Sequence, residues 1–192
     1  MTETRPSRGR PTAFDRDSVS NTAIALFAER GYDVVSMSDI ADAAGVSRRS
    51  LFRHFASKAE LIWDGLAPVE AARAHALASG ASASPLETLR AATLAGAAAL
   101  SDPEATRTRL QIMASHPELI AFGSGRMFAS SQRLVAHLGE RGVDPLAARV
   151  LASAVTAAIF DAYLYWAAET ADATPRATLD AAFARLEHLS AG

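Results

Sequence analysis

The sequence predicts an all-α protein, with an N-terminal three-helix head that carries a helix-turn-helix and a larger C-terminal helical bundle. Three observations predict it. Alanine, the best helix former, dominates long stretches that contain no proline. Apolar residues recur at three- and four-residue spacing. The breaks in that pattern fall at glycine, at proline and at Ser or Asp residues suited to capping.

Residues 1–14 are polar, hold Pro6, Gly9 and Pro11, and read as a flexible basic arm. Asp15 is placed to cap a helix whose apolar side is Val19, Ala23, Leu26 and Phe27, and Gly31 ends it. Ser36, with Asp39 three residues on, opens a second helix through Ile40, Ala41 and Ala44, stopped by Gly45. Ser47 caps a third, residues 48–54. Only "GVS" separates the second from the third, which is helix-turn-helix spacing. "SKAE" (57–60) is a capping box that predicts one longer helix through Leu61, Ile62, Leu66 and Val69. After the loop "SGASASPLE" (79–87), helices are predicted over 86–101, 103–115, 117–141, 145–170 and 175–190, with breaks at Pro103, Pro117, "GVDP" and "ADATP". The domain reading is therefore arm 1–14, head 15–56 and body 57–192.

The 192 residues, 49% hydrophobic and 21% charged, have the composition of a globular protein with a real core. There is no cysteine, so disulfides and thiolate metal sites are excluded, and a reducing cytoplasm is the simplest location. No uninterrupted apolar run of about 18 residues occurs, which predicts no membrane span. "MTETRPSRGRPTAF" lacks the apolar core of a secretory signal. The five histidines, 54, 75, 116, 137 and 188, lie far apart, and neither HxxxH, HExxH, GxSxG nor a phosphate loop is present. An enzyme reading thus has no motif behind it, and no cofactor or metal is predicted. "GSGRMF" (123–128) follows no strand and reads as a bend or a close packing point.

The net charge of −2 hides an asymmetry. Arg5, Arg8 and Arg10 stand against Glu3 in the arm, and Arg48, Arg49, Arg53 and Lys58 stand against no acid in 47–58. Two basic patches on an otherwise acidic chain point to one end that binds a polyanion. On a helical wheel Leu51, Phe55 and Phe52 share an arc about 100° wide, with Arg49, Arg53, Ser50 and His54 opposite. Arg48, over the apolar arc, can swing past the helix end. A helix after a tight turn with basic residues at its start suits the major groove of DNA, where arginine bonds guanine bidentately. Ser36, Ser47, His54 and Lys58 lie at helix starts or flanks from which phosphates are reachable, and Arg8 and Arg10 can follow the duplex or enter a minor groove. Two plainer readings stay open: a solvated face for the arginines and a solubilising tail for the arm.

The stretch "LFAERGYDVVSMSDIADAAGVSRRSLFRHFASKAEL" (26–61) resembles the TetR family of bacterial regulators. The resemblance implies a helix-turn-helix head on an all-α ligand-binding body and a homodimer. It also implies a palindromic double-stranded DNA operator, read by two recognition helices about 34–36 Å apart, and usually repression. The middle of the usual "LYYHF" is Arg53 here, and Phe52 replaces the usual tyrosine, a position expected to pack in the head. "RTRLQIMASHPEL" and "GVDP…FDAYLYWAAE" resemble an actinobacterial subgroup that includes the mycofactocin-associated regulator, which implies an acyl or lipid-like effector.

A sensor body needs a mostly apolar cavity. Candidate lining residues are Trp63, Leu66, Met113, Phe122, Met127, Phe128, Phe160, Tyr163 and Trp166; the alternative for each is plain core. Arg107, Arg109, His116 and Arg126 are candidates to anchor an acidic head group, or surface charges. By resemblance the last two helices form the dimer surface, with Leu151, Val155, Ile159, Ala162, Phe183 and Leu186 as candidates, or else they pack within one subunit. A rival to effector response is a ligand-independent DNA-binding or architectural protein.

Overall fold

A computed structural model describes residues 14–65, 67–79, 84–169 and 172–190. Within them the chain forms α1 (Arg16–Arg30), α2 (Met37–Ala43), α3 (Arg48–His54), α4 (Lys58–Trp63), α5 (Ala67–Ser79), α6 (Pro85–Ala98), α7 (Pro103–Ser115), α8 (Pro117–Glu140), α9 (Pro145–Glu169) and α10 (Pro175–Ser190). The basic arm with Arg8 and Arg10, and the candidate Leu66, lie outside the described residues.

Capping chemistry sets the starts. Asp15, Ser36, Ser47, Ser57, Ser84 and Asp102 each accept a backbone N–H from three residues on. Each of α6 to α10 begins at a proline, where the absent N–H costs no hydrogen bond. The turn from α2 to α3 closes by a Schellman motif. Val46 N–H donates to Ala41 O at 3.0 Å and Gly45 N–H to Asp42 O at 3.3 Å. Gly45 takes φ +66°, a value that a Cβ would strain.

The single longer helix predicted from Ser57 is two helices. α4 stops at Trp63, Gly65 takes φ +84°, and α5 begins at Ala67 with Pro68 in its first turn. A Cβ at Gly65 would sit 2.9 Å from Nη2 of Arg109, so the break is also a place of close packing. Leu61 and Ile62 kept helical spacing with Val69 across it and hid it in the sequence.

One hydrophobic cluster runs from the head into the body. Val19, Ile24, Phe27, Ile40, Leu51 and Phe55 of the head join Leu61, Ile62 and Trp63 of α4, then Leu110, Met113, Leu119 and Trp166. α3 has seven residues and is too short to stand alone in water. Fully buried Leu51 and Phe55 hold it, at about 1.5–3 kcal/mol each. A second cluster binds α6, α8, α9 and α10 through Leu89, Leu134, Leu138, Ala152, Val155 and Phe183.

Two expectations about α9 change here. By length and composition it is apolar enough to cross a membrane, with a mean hydropathy of 1.4 over its best window. Arg149 and Asp161 interrupt any unbroken apolar run, and one of its faces packs on α7, α8 and α10. The residues expected at a dimer surface are turned inward. Val155, Ala162 and Phe183 are buried, and Leu151, Ile159 and Leu186 pack on the same cores. Alanine lines α9 on every side, so composition did not tell the inner face from the outer.

α8 approaches α4 through Gly123, in the stretch read as a bend or packing point. Trp63 Nε1–H donates to Leu119 O at 2.7 Å and its ring stacks on Phe160 with centroids 5.8 Å apart. A Cβ on Gly123 would lie 1.9 Å from Trp63 Cζ2, whereas one on Gly125 or Gly139 meets nothing within 4 Å. Gly123→Ala should therefore lower unfolding stability by about 1–3 kcal/mol. Gly139→Ala, also within α8, should raise it by up to about 1 kcal/mol. Urea denaturation of both variants checks the pair, and equal effects would contradict the packing.

Candidate nucleic-acid interface and internal cavity

α3 presents its basic side to solvent. Arg48, Arg49 and Arg53 are exposed, and Ser47 Oγ accepts from Ser50 N–H at 3.1 Å, which leaves Ser50 half-buried in the first turn. Phe52, expected to pack in the head, is 53% exposed. It lies at the edge of the apolar arc nearest Arg49, while Leu51 and Phe55 take the core. Its ring is left as an apolar surface beside the arginines.

The flanking candidates are more committed than the sequence suggested. His54 stacks on Phe14 with centroids 4.0 Å apart, and its Nε2 lies 3.3 Å from Arg53 Nη2. Arg16, which no sequence motif marks, donates to His54 O at 2.9 Å and to Asp64 Oδ1 at 3.1 Å and covers the Phe55 ring. It ties α1 to the C-terminal ends of both α3 and α4. The Ser36 hydroxyl is used in a reciprocal cap with Asp39, whose carboxyl these hydrogen bonds hold below its ordinary range. Lys58, expected at a phosphate, donates instead to Tyr32 O at 2.6 Å and Asp33 O at 3.4 Å and lies over the Tyr32 ring. Carbonyls of the α1–α2 loop offered it closer acceptors than solvent.

Between α4, α5, α7, α8 and α9 lies a cavity of about 410 Å³. Of the residues expected there, Trp63, Arg109, Met113, Arg126, Met127, Phe160 and Tyr163 line it, joined by Val69, Leu110, Thr156 and Ile159. Phe122 and Phe128 are exposed on α8 instead. Trp166 is core: its Nε1–H donates to Ala173 O at 2.8 Å, and Arg107 stacks on its ring and donates to its carbonyl. His116 belongs to the joint between head and body, 3.7 Å from Asp33 and edge-on to Tyr32. Burial pushes the Tyr163 hydroxyl up to about 12, so it stays neutral. Thr156 Oγ1 is buried without a partner among the described residues. Glu70 pairs with both Arg73 (2.7 Å) and Arg133 (2.9 Å) at the outer edge, a cluster whose only sequence signal was the three-residue spacing of Glu70 and Arg73.

A capped helix-turn-helix with arginines on its outer helix, carried on a helical body with a half-open cavity, defines a DNA-binding regulator. The description "Bacterial regulatory proteins, tetR family" matches residues 21–62, and "MftR C-terminal domain" matches residues 83–190. The chain belongs to the TetR family of transcriptional regulators, with a C-terminal domain of the MftR type. It is 48% identical over 61 residues, 32% of this chain and 30% of that protein, to MftR of Mycobacterium tuberculosis, named for transcriptional regulation of mycofactocin biosynthesis. It is 47% identical over 47 residues, 24% of each chain, to the repressor KstR2 of the same species. These curated relatives are thus matched over less than a third of their length. The fold is similar to the fatty acid degradation regulator FadR of Bacillus halodurans, with TM-score 0.61 and 16% identity over 92% of this chain and 96% of that one. It is also similar to the ketosteroid transcriptional regulator KstR2 of M. tuberculosis, with TM-score 0.50 and 25% identity over 89% and 92%.

Arg49→Ala should weaken binding to a selected DNA site by about 1–3 kcal/mol and relax preference at one base pair, read by selection from a random duplex pool. Lys58→Ala should leave the slope of log affinity against log salt unchanged, because its ammonium is occupied within the head. A slope flattened by about one unit would return Lys58 to the phosphate contacts.

Proposed function

We propose that this protein is an effector-responsive repressor that binds a palindromic operator as a homodimer and is released by a small, largely apolar molecule. The observation that carries it is the pairing of an exposed arginine face on α3 with a largely apolar cavity on the far side of α4. In this reading residues 15–56 bind the duplex and residues 57–192 sense and dimerise. Arg48, Arg49 and Arg53 read or hold DNA, with Ser36, Ser47, Ser50 and His54 shaping the surface, and Arg8 and Arg10 supply added charge. The cavity falls within the usual size of ligand pockets, about 300–1,000 Å³. Trp63, Met113, Met127 and Phe160 suit an acyl or otherwise lipid-like effector.

Dimerisation is assigned to the outer face of α9. Leu146 (70% exposed) and Val150 (60%) stand on one stripe with Ser153, Ala154 and Ala157, and the stripe continues through the exposed Asp161 to Tyr165 (57%). Small residues between large ones let a second helix approach closely, and a stripe of this length invites a self-complementary contact about a two-fold axis.

Val150→Asp should convert the dimer to monomer in sedimentation and reduce operator affinity at least about tenfold, or 1.4 kcal/mol; a dimer that persists would move the interface elsewhere. Thermal-shift screening of fatty acids, their esters and aromatic compounds should find a ligand that at 100 times its dissociation constant stabilises by about 2.7 kcal/mol and displaces DNA. A uniformly null screen would favour a ligand-independent architectural role.

A further inference from the structure

Two arginines that line the cavity also close the end of α4. Arg109, from α7, donates from Nη1 to the carbonyls of Leu61 (3.3 Å) and Ile62 (3.0 Å), and from Nη2 to Ser20 Oγ (3.2 Å) on α1. Ser20 Oγ in turn donates to Leu61 O at 2.9 Å. Arg126, from α8, donates to Trp63 O at 2.8 Å. The last three carbonyls of α4 therefore rest on guanidinium groups supplied by the body, the sign of charge that suits a helix C-terminus.

Among the described residues neither arginine has a carboxylate within ion-pairing distance. Glu70, the one acid in the cavity lining, is already shared by Arg73 and Arg133. The lining thus holds four guanidinium groups against a single carboxylate. Arg109 is 5% exposed, and burial lowers it from its ordinary value to about 10, so it remains charged at neutral pH. The charges of Asp64 and Asp17 favour the Arg109 guanidinium but do not contact it and offset its burial only in part. A buried cation is costly, and an anion entering to contact distance offsets more of that cost. Thr156 Oγ1, orphaned in the same wall, offers a further hydrogen bond.

Resting on the reading of this cavity as the effector site, we propose that the effector is an organic acid whose apolar part fills the cavity and whose anionic group binds Arg109 and Arg126, drawing their donors off the α4 carbonyls. α4 follows α3 after three residues, Phe55, Ala56 and Ser57. Releasing its far end therefore loosens the orientation of the DNA-contacting helix. Coupling of this kind is reciprocal, so bound DNA weakens acid binding by the same factor.

The test uses the full-length protein, its selected DNA site, and a panel of straight-chain and aromatic carboxylates, each paired with the primary alcohol of the same skeleton. The tightest ligand should be an acid, bound at least about tenfold more tightly than its alcohol, and only the acid should displace DNA. Arg126→Gln, a change on the exposed side of α8, should abolish that preference. Without any ligand it should also weaken DNA binding about five- to 150-fold, the usual range of coupling between sites, with the salt slope unchanged. An alcohol that binds as well as its acid, a preference that survives Arg126→Gln, or unchanged DNA affinity in that variant overturns the proposal. A panel in which nothing binds while wild type still selects DNA overturns instead the effector reading beneath it.

Discussion

The six-residue helix α4 depends on hydrogen bonds it cannot make for itself. A helix this short has almost no internal ladder, and its terminal carbonyls need outside donors. Arg109 and Arg126 supply them from two different helices of the body. At the other end Ser57 caps α4, and Lys58 ties it to the α1–α2 loop. The orientation of the head is thus set by how firmly the two ends of α4 are held. The break at Gly65 adds to this, because it separates α4 from α5 and leaves the guanidinium contacts as the mechanical link.

Packing reinforces the polar link. Trp63, the last residue of α4, inserts against the bare backbone of Gly123, hydrogen-bonds Leu119 and stacks on Phe160. The same indole forms part of the cavity wall. One residue therefore belongs at once to the joint and to the cavity, and a ligand that shifts it by a fraction of an ångström meets a core with no slack. The head is arranged differently, with short helices held by a few fully buried side chains and an arginine surface left over for a partner.

Much of this was legible in the sequence where local chemistry decides. The Ser and Asp caps, the prolines that open α6 to α10 and the glycine turn between α2 and α3 act within a few residues of themselves, and the helix bounds follow them closely. The sequence was silent where tertiary partners decide. An arginine such as Arg109 reads as a surface charge until carbonyls of a distant helix are seen to surround it. Lys58 looked free because its acceptors lie in a loop some 25 residues earlier. Phe52 fell on the apolar arc, yet the head had room for only two of the three side chains. For α9, alanine on every side erased the difference between inner and outer faces, so the sequence left a dimer surface and packing within one subunit equally open for Leu151, Val155, Ile159 and Ala162. The glycine and proline that split the linking helix were visible, but the apolar spacing that continued across them outweighed the signal.

The guanidinium caps on α4 fix the position of the head on the body. The chain has no cysteine, so a single Ala43→Cys change at the exposed end of α2 gives one spin label per head. Pulsed electron-electron resonance across the proposed homodimer then reads the spacing of the two heads. A narrow distance distribution in wild type that broadens or shifts when Arg126 is changed to Gln is the result predicted here. The same distribution in both proteins would contradict the account.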